Sequence, residues 1–237
     1  MSTNPPPSNP PPPVRRRPAG PDAVLFDMDG TLLDSEKIWD IGLDELAGHL
    51  GGQLSPDARA AMLGSPIELS VRLVHEDLGI DADPADSAKY LLDRVAAIFA
   101  DDLHWRPGAR ELVTAVSEAG VPTGLVTSTV RRLTDVALDW MGRDLFTISV
   151  CGDETPTQKP TPAPYLRAAQ LVHRAPTRCL AIEDSPIGIA SAQAAGLAVL
   201  AVPSEVPIEP GPRRVLRDNL LGVGLDELRA VYAELTQ

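Results

Sequence analysis

The sequence predicts an α/β fold: a doubly wound parallel sheet interrupted by an inserted all-helical domain. Three observations predict it. A short apolar run at 23–28, "AVLFDM", reads as a buried parallel strand. Residues 35–103 then read as successive helices, with no convincing strand among them. From residue 104 onward, strand-like and helix-like segments alternate, the pattern of a parallel sheet with helices on both faces.

Taken in order, the elements justify themselves locally. Residues 1–20, "MSTNPPPSNPPPPVRRRPAG", are proline-rich with almost nothing apolar to bury, so a disordered tail is expected there. After the first strand, "SEKIWDIGLDELAGHL" puts Ile38, Ile41, Leu43, Leu46 and Leu50 near one helical face. "SPDARAAML" opens with a capping serine and a first-turn proline. "SPIELSVRLVHEDLG" and "DPADSAKYLLDRVAAIFADDL" continue with helical periods.

Beyond "HWRPG", a helix ending near Gly120 precedes the strand "VPTGLVTST", then the helix "VRRLTDVALDWMG" and the strand "FTISVCG". A helix with first-turn prolines, "TPAPYLRAAQLVHR", leads to the strand "RCLAIED", the helix "SPIGIASAQAAG" and the strand "LAVLAV". Residues 203–224 stay open between a wandering loop and a last strand–helix unit. The expected organisation is therefore a tail at 1–20, an α/β core from 21–34 and 104–237, and a helical domain at 35–103.

Composition narrows the function classes. A 237-residue chain that is 43% hydrophobic and 23% charged is ordinary for a globular protein. Its net charge of −12 disfavours nucleic acid and anionic lipid as partners. Cys151 and Cys179, the two cysteines, are too few for a disulfide framework or zinc cluster and read as buried free thiols. With no apolar run of membrane length and no secretory leader, a cytoplasmic location without membrane partners is expected, and a monomer. His49, His75, His104 and His173 read as surface or packing residues.

Ligands in such sheets sit at the carboxyl ends of strands. There the sequence delivers Asp27 and Asp29, then Thr127 and Ser128, then Glu183 and Asp184, with Lys159 on a loop. Carboxylates gathered at one point need a cation, and an oxygen-only donor set suits Mg²⁺. Lys159 and the Thr127 hydroxyl supply partners for a phosphate, so the collection reads as a phosphoryl-transfer site. Asp27 is the better-placed nucleophile. Asp29 is the acid that protonates the leaving oxygen and later activates water. Gly30 permits the tight turn that brings backbone amides toward the phosphate.

"DMDGT" (27–31), "VTS" (126–128), Lys159 and "EDSPIGIASAQAAG" (183–196) together resemble the haloacid dehalogenase-like (HAD) hydrolase superfamily. The helical block resembles its small α-helical cap, as in the branch of phosphoglycolate phosphatases and β-phosphoglucomutase. The resemblance spans about residues 22–205 and implies a Rossmann-like core under a cap domain. It also implies site roles. Asp27 is nucleophile and metal ligand; Asp29 is acid/base, with its carbonyl on the metal. Thr127, Ser128 and Lys159 bind phosphate, and Glu183 and Asp184 hold Mg²⁺. An acid at 29 separates phosphotransfer members from true dehalogenases.

The expected activity is hydrolysis of a small phosphomonoester, a sugar phosphate or similar metabolite, through an aspartyl-phosphate. A hexose-phosphate mutase is the first alternative. Mutase-like relatives carry a His in the first cap helix and an Arg in a later loop, where this chain has Trp39 and Ile67. A non-catalytic scaffold acting through the proline tail is the alternative of another class. Substrate contacts in the cap are expected around Trp39, Gly64 and Ser65, although Trp39 also suits a core position.

Overall fold

The computed structural model describes residues 20–62 and 65–236. The expected tail, apart from Gly20, and the candidate substrate residue Gly64 lie outside the described residues.

β1 (Ala23–Phe26) is completely buried, as its continuous apolar run requires. Four helices follow: α1 (Glu36–His49), α2 (Pro56–Met62), α3 (Ile67–Leu78) and α4 (Pro84–Asp101). Their starts use local polar chemistry. The Ser55 hydroxyl accepts from the Ala58 amide at 3.1 Å ahead of α2. The Asp83 carboxylate accepts from the Ala85 amide at 2.8 Å at the head of α4. Ser35, the residue before α1, caps nothing, because its hydroxyl is given to Asp29.

The chain then alternates: α5 (Ala109–Glu118), β2 (Thr123–Val126), α6 (Arg131–Met141), β3 (Ile148–Val150), α7 (Ala163–Leu171), β4 (Cys179–Glu183), α8 (Pro186–Ala194) and β5 (Ala198–Ala201). The stretch left open in the sequence contains a short strand, β6 (Arg214–Leu216), and ends at α9 (Leu225–Leu235).

The strands form one parallel sheet in the order β3-β2-β1-β4-β5-β6. Alternate residues of β1 face opposite cores, as a pleated strand requires. Val24 and Phe26 join Leu112 of α5, Leu133 of α6 and Tyr232 of α9. Ala23 and Leu25 join Tyr165 of α7 and Ile189 of α8. The first core runs on into the helical insertion through Leu46, Val71, Leu91 and Phe99. The fold is thus doubly wound, with the inserted helices seated on one side. Cys151 and Cys179 are buried free thiols, as expected.

This order fixes where a ligand belongs. From β1 the chain steps outward through β2 to β3, then returns to β4 and steps the other way. The crevice beyond the carboxyl ends of β1 and β4 is the switch point of the sheet.

Candidate active site

β1 ends at Phe26, which is in register with Ile182 of β4. Asp27 therefore emerges level with Glu183 and Asp184. Each of these three buried acids offers an oxygen, and the three atoms lie within 4.8 Å of one another. Lys159 enters from the loop before α7. Its ammonium donates to Asp27 Oδ1 at 2.7 Å, Glu183 Oε1 at 2.7 Å and the Val126 carbonyl at 2.9 Å. Tyr165 of α7 donates its phenol to the same Glu183 oxygen at 2.6 Å. The Ser185 hydroxyl lies 3.4 Å from Glu183 Oε2 and accepts from the Gly188 amide at 3.0 Å, capping α8. Gly188 lies so close beneath Glu183 that a Cβ there would overlap its carboxylate.

Asp29 is held differently. Its Oδ1 accepts from the Ser35 hydroxyl at 2.6 Å and the Trp39 indole at 3.3 Å. Its Oδ2 accepts from Thr129 at 2.7 Å and Thr127 at 3.2 Å. The second acid is thus shared between α1 and its approach on one side and the loop after β2 on the other. Gly30 adopts a φ of +76°, which L side chains rarely take, and a Cβ there would overlap Asp184. Its amide donates to the Leu33 carbonyl at 2.9 Å, so Gly30 serves the site through its turn and its missing side chain.

Burial dominates the electrostatics. It pushes the Asp27 carboxyl up; Lys159 pulls it down, Glu183 and Asp29 push it further, and it settles at about 7. Asp184 is raised well above the usual carboxylate value, by burial first and then by the charges of Asp27, Glu183 and Glu36. Burial alone would depress Lys159, but Asp27 and Glu183 more than offset this and hold the ammonium charged. Burial and the Glu183 charge raise the Tyr165 phenol, which keeps its proton to donate. With all three acids ionised, one ammonium against three carboxylates leaves two negative charges, the charge of one divalent cation.

A 390 Å³ cavity opens over these groups. Asp27, Asp29, Ser128, Lys159 and Asp184 line it from the core side, and Trp39 and Ser65 line it from the helical side. Of the described residues predicted from sequence, Gly30, Thr127 and Glu183 are not in the lining; Gly30 shapes the turn, Thr127 holds Asp29 and Glu183 anchors Lys159. Thr127 and Ser128 do not cap α6, whose N-terminus has no side-chain cap. Trp39 combines both readings offered for it, packing on the core and facing the cavity. Sequence reasoning missed Ser35, Thr129 and Tyr165. Thr129 had a usable signal, as the third hydroxyl of "TST" after a strand. A second cavity, of 290 Å³, lies at the opposite end of β1 between Asp22, Arg178 and Arg229, away from these groups.

A model of the family "Haloacid dehalogenase-like hydrolase" matches residues 24–202. The chain is 33% identical over 194 residues to Protein CbbY of Rhodobacter capsulatus, covering 77% of this chain and 86% of that one. It is 31% identical over 215 residues to hexitol phosphatase B of Escherichia coli, covering 88% and 94% respectively. It shares its fold with the crystal structure of CbbY from Rhodobacter sphaeroides in complex with phosphate. That match has a TM-score of 0.77 and 24% identity, covering 88% of this chain and 99% of that one. The paired aspartates after β1, the lysine before α7 and the acids ending β4 are thus the work of a known architecture, and the chain belongs to the haloacid dehalogenase-like hydrolases.

Proposed function

We propose that this chain is a Mg²⁺-dependent phosphatase that hydrolyses a small phosphomonoester through an aspartyl-phosphate on Asp27. The observation that carries the reading is the pairing of Asp27 with Lys159 beside Asp184, at the floor of a cavity over the switch point. The oxygen-only donor set fits Mg²⁺ better than a metal that favours nitrogen or sulfur. Asp27 and Asp184 would hold the ion, and Glu183, saturated by Lys159 and Tyr165, would hold Lys159. When bound, the ion offsets the charge of the phosphoryl oxygens and of the acids around them.

The chain's own residues do the rest. Lys159 orients Asp27 and lends positive charge to the phosphoryl oxygens; the Ser128 backbone supports them from the cavity wall. Asp27 attacks phosphorus, the bond to the substrate oxygen breaks, and Asp29 gives that oxygen its proton. Asp29 then takes a proton from water, which attacks the phosphorus of the aspartyl-phosphate, releases inorganic phosphate and frees Asp27. Residues 35–103 act as the cap, which excludes bulk water through Trp39 and the helices beside it.

Hexitol phosphatase B acts, by its name, on a sugar alcohol phosphate, and a sugar phosphate or similar metabolite is the substrate class we favour here. The mutase reading is weaker, because Trp39 and Ile67 line the cavity where its polar groups would stand. A panel of phosphomonoesters with Mg²⁺, run beside a chelator control, tests the reading. Metal-dependent release of inorganic phosphate is expected; no release from any of them would refute it.

A further inference from the structure

Beyond the reaction centre, the cavity has a lopsided charge. Its described lining includes the acids Glu36, Asp40 and Glu205 and, apart from Lys159, one cation, Arg59. Lys159 is committed to Asp27 and Glu183. Arg59 pairs with Asp44, outside the cavity, in a solvent-exposed ion pair. Glu36, whose charge reaches Asp184 on the floor, takes a hydrogen bond from Ser204. Asp40, one turn further along α1, and Glu205, on the loop after β5, line the same cavity. Burial and then the charges of Asp40 and Asp34 raise the Glu205 carboxyl, so Glu205 senses the charge of Asp40.

Two nearby cations temper this pair without lining the cavity. Lys37 is bound to Asp34 at 3.0 Å, and Arg106 donates to Ser204 at 3.1 Å. The lining also includes the apolar side chains of Trp39, Leu43, Met62, Ile67 and Leu91. Two of its serines, Ser65 and Ser70, lie 2.7 Å apart and hydrogen-bond each other. Apart from Arg59, an anion carried into this space meets apolar side chains and like charge, and low-dielectric walls concentrate that field.

We propose that this cavity selects monophosphates whose remote end carries no anion, and that Asp40 and Glu205 turn away substrates bearing a second one. The proposal rests on the phosphatase reading and deepens it. It concerns charge at the mouth, so the test compares substrates matched in length. The probes are the best neutral-ended monophosphate of the panel and its counterpart of equal carbon count ending in a carboxylate, for example a hexitol 6-phosphate and the aldonate 6-phosphate.

In the parent chain the ratio of kcat/KM, neutral over carboxylate, is expected to exceed about fivefold. In Asp40→Asn/Glu205→Gln it is expected to shrink about threefold or more. A folding defect lowers both rates and leaves the ratio alone, so the ratio reads charge. A smaller parent ratio, a smaller change in the variant, or a best substrate that is itself doubly anionic overturns the proposal while leaving the phosphatase standing. Absence of hydrolysis of every compound removes the phosphatase and, with it, this proposal.

Discussion

Lys159 reaches back 132 residues along the chain to place its ammonium 2.7 Å from Asp27 Oδ1, with both side chains buried. This contact joins the first strand to the loop before α7. It also neutralises a charge that the low-dielectric site could not otherwise carry. The same ammonium holds Glu183, so its removal leaves two carboxylates without their cation.

Lys159→Met is therefore expected to destabilise the ion-free chain by about 3 kcal/mol, because breaking a buried pair strands its partner. Urea unfolding in the presence of chelator measures this. A loss below about 1 kcal/mol would mean that the carboxylates accept protons at little cost and that Lys159 is not their main support.

Stability should also follow pH and metal together. The folded-state value of Asp27 is raised, from 3.8 to about 7, and Asp184 moves in the same direction. Between those values Asp27 holds more proton in the folded chain than in the unfolded one, so its contribution to the stability of the ion-free chain falls as pH rises from 3.8 to about 7. A divalent ion binds the ionised acids and displaces those protons, so its stabilising effect grows over the same window. The rise in Tm on adding Mg²⁺ is expected to be larger at pH about 7.5 than at pH about 5. An equal or larger rise at the lower pH would contradict the cluster as the ion's site.

Thr129 donates the shortest of the bonds to Asp29 Oδ2, at 2.7 Å. Thr129→Val keeps the shape and deletes the donor. It is expected to lower kcat about tenfold, with KM little changed, because Asp29 loses its orientation as acid while the phosphate contacts remain. Steady-state kinetics separate the two constants. A rise in KM at constant kcat would place Thr129 on the substrate instead.

Much of this was legible in the sequence, for identifiable reasons. Strand–helix alternation gave the parallel sheet, and the rule that ligands gather at strand carboxyl ends gathered Asp27, Asp29 and Asp184 before any contact was known. The adjacent pair Glu183 and Asp184 was ambiguous because neighbours along a strand point to opposite sides. Only packing shows Glu183 turned down onto Lys159 and Tyr165, with Asp184 turned up into the cavity. Tyr165 left no local trace, since its role depends on α7 packing across β1, β2 and β3, which brings its phenol to Glu183 at the end of β4. β6 is three half-buried residues long, too short for a periodic signal. Gly188 looked like an ordinary small residue of α8, and its close approach to Glu183 exists only in the assembled fold.

The central claim is that Asp27 is esterified during turnover. Acid-quenching the chain during hydrolysis of a phosphate-labelled substrate, then mapping the labelled peptide, tests it most directly. Label on the peptide containing Asp27, and neither label nor phosphate release in Asp27→Asn, is the expected result. Label on another residue, or an Asp27→Asn chain that hydrolyses as well as its parent, would contradict it.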